Sequence, residues 1–352
     1  MRKFDYTFLK KISVPADIMN SATSIYEMKA KAELRRSDFA DVFSAMESIA
    51  KIQSVKSSNA IEGIITTDKR IRDIVNKSTA PQGHNELEIA GYRDALNLIN
   101  SSYFDILFSE SSILELHRML IQPSGDDLAG RYKTEDNFIM ETDREGIRSV
   151  RFTPVPASET AFAMEQLILA YHAAYSDAEI NPLMLIPCVI LDLLCIHPFR
   201  DGNGRMSRLL SLLLMYKSGF NAGKYVSIEE QINTYKNYYY TSLQKSSERW
   251  HENDNNYFPF IDNFLFALKM SYFELDSRFA SLKDRKITKK QRIEELVTGS
   301  LLPVSKRDIC EKLPDISVTT VEAELARLLK SGKIEKIGNG RGTKYRAVIK
   351  AE

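Results

Sequence analysis

The sequence predicts a mainly α protein with one small β-hairpin and a separate C-terminal module. Three observations support this fold class. Apolar residues recur at intervals of three and four through residues 20–62, which contain neither glycine nor proline. Residues 130–156 instead alternate apolar and polar side chains around the turn-prone segment TDREG. A charged run, DRKITKK at residues 284–290, then separates this long region from a short basic one.

Further helices are predicted wherever the helical spacing of apolar residues returns. These segments are residues 85–100, 111–121, 158–175, 181–197 and 205–217, followed by a tyrosine-rich stretch from Lys236 and an apolar stretch from Phe260.

The changes in composition divide the chain into four predicted parts. An N-terminal helical region covers residues 1–85, and a helical core covers residues 86–280. A linker is predicted at residues 281–290, and a C-terminal module at residues 291–352.

Composition and charge exclude several classes of protein. The 48 lysines and arginines nearly balance the 47 acids among the 352 residues, so the chain is not a polycation that binds nucleic acid by net charge alone. Three cysteines without CxxC spacing indicate neither a disulfide framework nor a structural zinc site. The most apolar stretch, residues 183–196, is too short to span a bilayer, and the N-terminus lacks an apolar signal region. A cytoplasmic protein without a membrane segment is expected.

The most unusual segment is HPFRDGNGRMSR at residues 197–208, directly after an almost unbroken apolar run. Pro198 disfavours helical geometry at His197, so the preceding helix is predicted to end there. The glycines of DGNG permit backbone conformations in which successive N–H groups converge on an anion. A new helix is predicted to start near Gly204 or Arg205, with its positive dipole end at the same loop.

Arg205 and Arg208 lie three residues apart in the first turn of that helix and are therefore expected on one face. Two guanidinium groups at a helix N-terminus are unfavourable unless an anion binds there. Backbone N–H groups and two bidentate donors together indicate a phosphate chain. The segment lacks GxxxxGK[ST] and a third glycine, which excludes a Walker loop and a dinucleotide fingerprint.

Two further residues of the segment predict chemistry. Asp201 offers a hard oxygen ligand of the kind that Mg²⁺ takes beside phosphate and water. His197 has an ordinary pKa near neutrality and can accept a proton from an attacking hydroxyl. The other four histidines are scattered without metal-ligand spacing and are assigned no chemistry. The sequence therefore predicts a nucleotide triphosphate site with its own base.

The same segment matches, at every specified position, the signature H-x-F-x-[DE]-G-N-G-R-x-x-R of the Fic domain. The chain thus resembles a family of helical enzymes that mostly transfer AMP from ATP to hydroxyl side chains of target proteins. The resemblance implies a Fic-type helical core and a protein adenylyltransferase that acts on Tyr, Thr or Ser side chains. It also implies ATP as the substrate and Mg²⁺ as the metal.

The matching positions imply individual roles. His197 would be the base, Phe199 a buried anchor of the loop, and Asp201 the Mg²⁺ ligand. The α- and β-phosphates would be surrounded by Gly202, Asn203 and Gly204, and the outer phosphates would be bound by Arg205 and Arg208. Gly204 also favours AMP transfer, since family members with a lysine at this place phosphorylate instead.

A β-hairpin flap beside the site is a second expectation from the resemblance. It would comprise residues 133–156 and would hold the target protein by strand addition. Lys133 departs from the arginine that family members often carry there. Tyr238 and Tyr239 resemble the paired tyrosines near the adenine in this family, and packing in the core is the alternative role for each.

An upstream segment, SSNAIEGI, fits the inhibitory pattern [ST]-x-x-x-E-[GN] of the family through Ser58, Glu62 and Gly63. The spacing places Ser58 and Glu62 on one helix face. A solvated helix end with Gly63 after its last turn is the alternative interpretation. Together with the Fic signature, the pattern predicts that the Glu62 carboxylate occupies the place of the γ-phosphate beside Arg208 and inhibits the enzyme.

The C-terminal module is predicted to contain three short helices and two strands around a glycine-rich tip, which resembles a winged helix-turn-helix. Residues 286–352 carry 15 lysines and arginines against 9 acids. DNA contacts are therefore predicted within residues 317–346. A module that docks protein or has a structural role is the alternative, with equal weight. The candidate residues are Ser317, Thr319, Thr320, Arg341, Lys344 and Arg346.

Two classes of function follow. The first is an AMP-transferase, and the second is a DNA-binding regulator whose nucleotide pocket senses ligand or removes AMP from modified proteins. The intact His197 favours the transferase, because a sensing pocket needs no base. A target protein is the expected partner, and a second copy of the chain is a further candidate.

Overall fold

The computed structural model describes residues 2–36, 39–142, 146–280, 288–300 and 302–348. Within these residues the protein is mainly helical with small antiparallel sheets, which confirms the predicted fold class. The chain divides into two compact units. The first unit comprises Met1–Glu27 with Ala50–Ser271, and the second comprises Met28–Ile49 with Tyr272–Glu352.

The described helices are α1 (Ala16–Arg36), α2 (Ala40–Ile61), α3 (Asp68–Val75), α4 (Gly83–Ser102), α5 (Glu110–Ile121), α6 (Ala157–Tyr175), α7 (Pro182–Ile196), α8 (Asn203–Lys217), α9 (Ile228–Thr234), α10 (Lys236–Ser247), α11 (Phe258–Ala280), α12 (Lys289–Thr298), α13 (Lys306–Lys312) and α14 (Val318–Lys330). The described strands are β1 (Ile139–Thr142), β2 (Arg148–Phe152), β3 (Val304–Ser305), β4 (Ile334–Ile337) and β5 (Lys344–Ala347).

The predicted domain limits differ from the limits of the compact units. The expected boundary between residues 85 and 86 lies inside α4, because α3 and α4 pack together within the first unit. Of the predicted linker, residues 281–287 lie outside the described part of the chain, and α12 begins at Lys289.

Helix α7 forms the centre of the first unit. Every residue from Leu183 to Ile196 is buried, and α7 packs against α6, α8 and α10. A helix that is apolar on all sides is stable only when it is surrounded by other elements. This central position fixes the C-terminal end of α7, where the sequence places His197.

Helices α4 and α5 approach each other unusually closely at Gly91. A Cβ atom at this position would lie 2.1 Å from the backbone oxygen of Leu120. Since a backbone oxygen within a helix cannot turn away, the contact requires glycine. Gly91 thereby allows α5 to approach α4, and His117 of α5 lies beside the loop that follows α7.

We expect Gly91→Ala to destabilise the first unit by about 3 kcal/mol, the upper range for overpacking a core. The thermal midpoint should fall by roughly 8 °C, measured by far-ultraviolet circular dichroism. Ser101→Ala, on the exposed end of the same helix, is the matched control and should leave the midpoint within about 2 °C. An unchanged midpoint for Gly91→Ala would contradict the close approach of the two helices.

The β-hairpin occupies part of the predicted flap. Strands β1 and β2 pair antiparallel from Ile139 opposite Phe152 to Thr142 opposite Arg148, with an irregularity after Ile139. Residues 143–145 at its turn lie outside the described part of the chain. Four large apolar side chains of the flap are exposed to solvent: Phe138, Met140, Ile147 and Val150.

The C-terminal part of the second unit contains helices α12, α13 and α14 and a three-stranded sheet in the order β3-β5-β4. Side-chain caps begin all three helices, at Thr288, Ser305 and Ser317. Its buried core comprises Ile293, Val297, Val304, Ile309, Leu313, Ile316, Val321, Leu325, Leu328 and Ile334. The winged helix-turn-helix assignment stays a prediction, and this order of elements is compatible with it.

None of the described helices combines the length and the apolar character that a membrane span requires.

Candidate functional site

The loop between α7 and α8 begins and ends with left-handed backbone. His197 has φ 52° and its N–H donates to the Leu193 oxygen at 2.9 Å, so α7 ends at the histidine as predicted. Gly202 has φ 80° and precedes the first residue of α8, a conformation that glycine adopts without steric cost. The first turn of α8 consequently directs its backbone N–H groups toward the loop.

Asn203 closes this loop with two hydrogen bonds to one residue. Its Oδ1 accepts from the Phe199 N–H at 2.9 Å, and its Nδ2 donates to the Phe199 oxygen at 2.7 Å. The Phe199 ring is fully buried and stacks on His117 with centroids 3.7 Å apart. The Asn203 side chain therefore fixes the shape of the loop. Its backbone is the part of the residue that could bind an anion.

His117 has a defined neutral tautomer. Its Nδ1 accepts from the Gly130 N–H at 3.0 Å, so the proton lies on Nε2, which donates to the Asp201 oxygen at 3.1 Å. Burial lowers the pKa of His117 to about 4. This histidine supports the loop through its bond to the Asp201 oxygen.

His197 has the opposite tautomer. Its Nδ1 lies 3.2 Å from the Leu194 oxygen, and because a carbonyl oxygen can only accept, Nδ1 carries the proton. The Nε2 atom is then left with its lone pair. Burial lowers the pKa of His197 to about 4, so the ring is neutral at physiological pH. A neutral imidazole with an unprotonated Nε2 is the form that a general base requires.

We expect the imidazoles of both His117 and His197 to remain neutral down to about pH 5 in the folded protein. Their pKa values lie below the unfolded value of about 6.5, so the unfolded chain binds more protons between pH 6.5 and 4. The contribution of these two neutral imidazoles to the free energy of unfolding is therefore fully present above pH 6.5 and is lost as the pH falls toward 4. Nuclear magnetic resonance titration measures this directly, since the chain has only five histidines. A midpoint near 6.5 for either ring would contradict its burial.

Arg208 is bound from the side of α2. Its Nη2 donates to Glu62 Oε1 at 2.7 Å and to the Ser58 backbone oxygen at 2.9 Å, and its Nε donates to Ser58 Oγ at 2.8 Å. The Arg208 side chain is 3% exposed, whereas the Glu62 side chain is 33% exposed. The structure thus brings together the two sequence segments that lie 146 residues apart.

Gly63 adopts φ 81° two residues after α2 ends at Ile61, as expected of a glycine that ends a helix. This geometry turns the chain at Glu62, and the Ile64 N–H bonds back to the Asn59 oxygen at 3.0 Å. The helix-end interpretation of Gly63 and the pairing of Glu62 with Arg208 are therefore both compatible with the structure.

Helix α2 is anchored one turn earlier, at Ser54. Its hydroxyl donates at 2.8 Å to one oxygen of the buried Glu229 carboxylate, and the Tyr92 hydroxyl donates to the other oxygen at 2.9 Å. The spacing of Ser54, Ser58 and Glu62 is four residues, so they lie along one face of α2 and of the turn at its end. Two of them contact Arg208, while Ser54 fixes the helix itself.

A cavity of about 220 Å³ lies at this junction. Its lining comprises Glu62, Ile139, Arg151, Phe152, Leu194, Cys195, His197, Gly204, Arg208, Tyr239, Tyr240, Leu243 and Ser247. A Cβ atom on Gly204 would lie 2.3 Å from Glu62 Oε1, so glycine is required for the carboxylate to reach its place.

The predicted residues do not all face this cavity. Arg205 is 1% exposed, pairs with Glu88 at 2.5 Å and with Asp201 at 3.3 Å, and does not line the cavity. Tyr239 lines the cavity, whereas the Tyr238 hydroxyl bonds to Asp262. Arg205 and Arg208 lie three residues apart on α8 but have different partners. Arg205 pairs with Glu88 and Asp201, whereas Arg208 pairs with Glu62.

Sequence reasoning did not single out several residues of the cavity lining, among them Tyr240 and Arg151. Tyr240 follows Tyr239 directly, and burial raises its pKa to about 12. Arg151 of β2 also lines the cavity and brings a positive charge to it from the flap. Strand alternation would have indicated Arg151, since it lies on the face opposite Val150, which is exposed.

Asp201 is the predicted metal ligand, and its side chain is 64% exposed. Its Oδ1 accepts from the Gly202 N–H at 2.6 Å, and its Oδ2 pairs with Arg205. Among the described residues, no group of three or more His, Cys, Asp or Glu side chains forms a metal cluster. A single exposed carboxylate fits a Mg²⁺ ion whose other ligands are water and phosphate.

Comparisons with known proteins find similarity to one family. The Fic/DOC family matches residues 107–215. The chain is 32% identical over 179 residues to protein adenylyltransferase Fic of Nematostella vectensis, covering 49% of this chain and 39% of that protein. It is 33% identical over 171 residues to protein adenylyltransferase fic-1 of Caenorhabditis elegans, covering 46% and 31%. The matches thus span less than half of these relatives.

Solved structures share the fold. A Fic family protein from Desulfovibrio desulfuricans superposes with a TM-score of 0.63 at 19% identity, over 97% of this chain and 98% of that chain. A Fic domain-containing signaling protein from Bacteroides thetaiotaomicron superposes with a TM-score of 0.60 at 19% identity, over 71% and 95%. Residues 107–215, which include the His197–Arg208 loop, thus match the Fic/DOC family.

Proposed function

We propose that the protein is an adenylyltransferase that transfers AMP from ATP to a hydroxyl side chain of a target protein, and that Glu62 inhibits it at rest. The observation that carries this proposal is the neutral His197, with Nε2 unprotonated, in the same cavity as Arg208 and the N-terminus of α8. The names of the relatives in Nematostella and Caenorhabditis support the same activity.

The transfer is a displacement at phosphorus. The hydroxyl oxygen of a Tyr, Thr or Ser side chain attacks the α-phosphorus of ATP and forms a new O–P bond. The bond from this phosphorus to the oxygen that bridges to the β-phosphate breaks, and pyrophosphate leaves. The hydroxyl proton passes to Nε2 of His197, which was the unprotonated nitrogen.

The phosphates would lie at the N-terminus of α8, where the backbone of Gly202, Asn203 and Gly204 offers N–H groups. Arg208 would bind an outer phosphate once Glu62 withdraws, because its donors then lose their carboxylate partner. Arg205 would act on the phosphates only through a change of partner, since Glu88 now pairs with it. The exposed Asp201 carboxylate would hold Mg²⁺, which when bound offsets phosphate charge.

The inhibitory role of Glu62 has a direct physical basis. A carboxylate 2.7 Å from the Arg208 guanidinium occupies the position where a phosphate oxygen would bind. It also carries the same sign of charge as the phosphate and repels it. The resting protein would consequently bind ATP in a nonproductive way until Glu62 moves.

The target segment would lie along the flap at residues 133–156. The strand pair β1–β2 contributes Ile139, Arg151 and Phe152 to the cavity lining, so a chain bound beside it would lie next to His197. Backbone hydrogen bonds of an added strand accept many sequences. Tyr239 would contact the adenine from α10, whereas Tyr238 bonds to Asp262 and packs against Phe266.

The decisive experiment is mass spectrometry of Glu62→Gly protein after incubation with ATP, Mg²⁺ and a cell lysate. We expect a mass increase of one AMP on a protein hydroxyl, and fragment spectra that identify the acceptor as Tyr, Thr or Ser. ATP with a methylene group between the α- and β-phosphates is the control and should give no product. Transfer of a phosphate group, or loss of AMP from protein modified beforehand, would overturn the proposal in favour of phosphorylation or AMP removal.

DNA contact through residues 317–346 stays a prediction. Within the C-terminal module, Arg327 and Lys333 both pair with Glu294, and Arg346 pairs with Glu335. These pairs compete with DNA phosphates for the same charges, while Ser317 and Lys344 are exposed. The Arg341 side chain lies outside the described atoms. A gel shift of the full chain with duplex DNA at rising salt decides the question, because phosphate contacts weaken steeply with salt.

A further inference from the structure

Two side chains that precede the flap contact the backbone around His197. The Lys133 ammonium donates to the Ile196 oxygen at 3.3 Å, and the Lys133 N–H donates to the Pro198 oxygen at 2.9 Å. The Asn137 Nδ2 donates to the Phe199 oxygen at 3.1 Å and lies 3.5 Å from the His197 oxygen. Four consecutive carbonyl groups, from Ile196 to Phe199, thus face donors of Lys133 and Asn137. We call Lys133 and Asn137 the carbonyl clamp.

The carbonyl clamp is a connected unit. The Lys133 ammonium also donates to Asn137 Oδ1 at 2.7 Å, which fixes the amide so that its Nδ2 points toward the loop. Lys133 is only 4% exposed. The Asp136 carboxylate accepts from the Ala157 N–H at 2.7 Å. Among the described residues it forms no ion pair with Lys133, although its charge acts to raise the pKa of that ammonium group.

Burying an ammonium group without an ion pair is costly, and burial lowers the pKa of Lys133 to about 8. A methionine side chain would fill similar space without this cost. The charge is thus retained where it meets carbonyl oxygens of the loop. These hydrogen bonds support the left-handed backbone of His197, a strained conformation for a residue other than glycine that persists only where its surroundings determine it.

We propose that Lys133 and Asn137 are positioning residues that fix the backbone of His197, and with it the direction of its imidazole, for AMP transfer. The inference rests on the proposed function. Neither side chain lines the cavity, so their effect is exerted on His197 and not on the nucleotide. A simple alternative is that Lys133 only caps the last carbonyl groups of α7, which would affect stability alone.

The test compares Lys133→Met, Lys133→Arg and Asn137→Ala in the Glu62→Gly background. We expect Lys133→Met to lower kcat for AMP transfer about 100-fold, the usual effect of misplacing a reacting group by about 1 Å, with KM for ATP within twofold. Lys133→Arg should restore kcat to within about fivefold, because a guanidinium can donate to the same oxygens. Arg131→Met, at an exposed position two residues earlier, is the matched control and should leave kcat unchanged.

A second readout does not depend on activity. The carbon-bound imidazole protons of His197, observed by nuclear magnetic resonance without nucleotide, should shift in Lys133→Met and Asn137→Ala and return toward the parent positions in Lys133→Arg. Resonances that stay in place, or a fall in thermal stability with kcat intact, would overturn the proposal. If the Glu62→Gly parent transfers no AMP, the proposed function fails, and the imidazole resonances still decide the role of the clamp. If Lys133→Met does not fold, Asn137→Ala provides both measurements.

Discussion

The Glu62→Gly variant is expected to transfer AMP about ten- to thirtyfold faster than the parent protein. The Glu62 carboxylate now makes a charged hydrogen bond to Arg208, at 2.7 Å. Such a bond contributes roughly 1.5–3 kcal/mol, and each 1.4 kcal/mol corresponds to about a tenfold change in rate. Because Glu62 is one third exposed, we place the contribution in the lower part of that range.

The expected gain arises at the site and not from loosening of α2. Ser54 still donates to the buried Glu229, and Ser58 still accepts from Arg208, when the Glu62 side chain is removed. The helix therefore remains in place while the guanidinium loses its carboxylate. Gly204, which now lies against Glu62 Oε1, then borders open space that a phosphate can occupy.

The measurement is the initial rate of label transfer from ATP labelled on the α-phosphate, with purified protein and a lysate as acceptor. Ala60→Gly is the matched control, because it introduces the same flexibility at the same end of α2 and keeps the carboxylate. It should leave the rate within about twofold of the parent. A rate for Glu62→Gly at or below that of the parent would contradict the inhibitory assignment, and an equal gain in Ala60→Gly would attribute the effect to helix fraying.

The central loop could be predicted from the sequence because its constraints are local. Pro198 ends α7 at His197, and Gly202 supplies the left-handed turn before α8. The long-range contact of Glu62 with Arg208 came only from the family pattern, since no local property of residues 58–63 indicates which helix they meet. Such contacts depend on how helices pack, which one segment does not encode.

Other features could not be predicted from the sequence, for physical reasons. Arg205 and Arg208 share one turn of α8, but side-chain direction depends on partners such as Glu88 that come from distant elements. Helices α3 and α9 have only eight and seven residues, too few for a clear period of apolar positions. Asn137 of the carbonyl clamp carries no signal in its own sequence, because its role follows from carbonyl groups sixty residues away.

The His197→Ala variant is expected to lose transfer almost entirely, by about a thousandfold or more, in the Glu62→Gly background. General bases contribute 10²–10⁴ to a rate, and Nε2 of His197 is the unprotonated nitrogen in the cavity wall.

Nucleotide binding should persist in His197→Ala, with Kd for ATP within about threefold of the parent. The N-terminus of α8 and the Arg208 guanidinium are the expected phosphate ligands, and neither changes when the imidazole is removed. Calorimetry measures this binding, and labelled ATP measures transfer. His172→Ala is the matched control for loss of a ring, because this exposed imidazole of α6 bonds to the Phe108 oxygen and does not line the cavity. Transfer that survives in His197→Ala would mean that another group takes the proton, and loss of binding together with transfer would make His197 a ligand of the nucleotide and not its base.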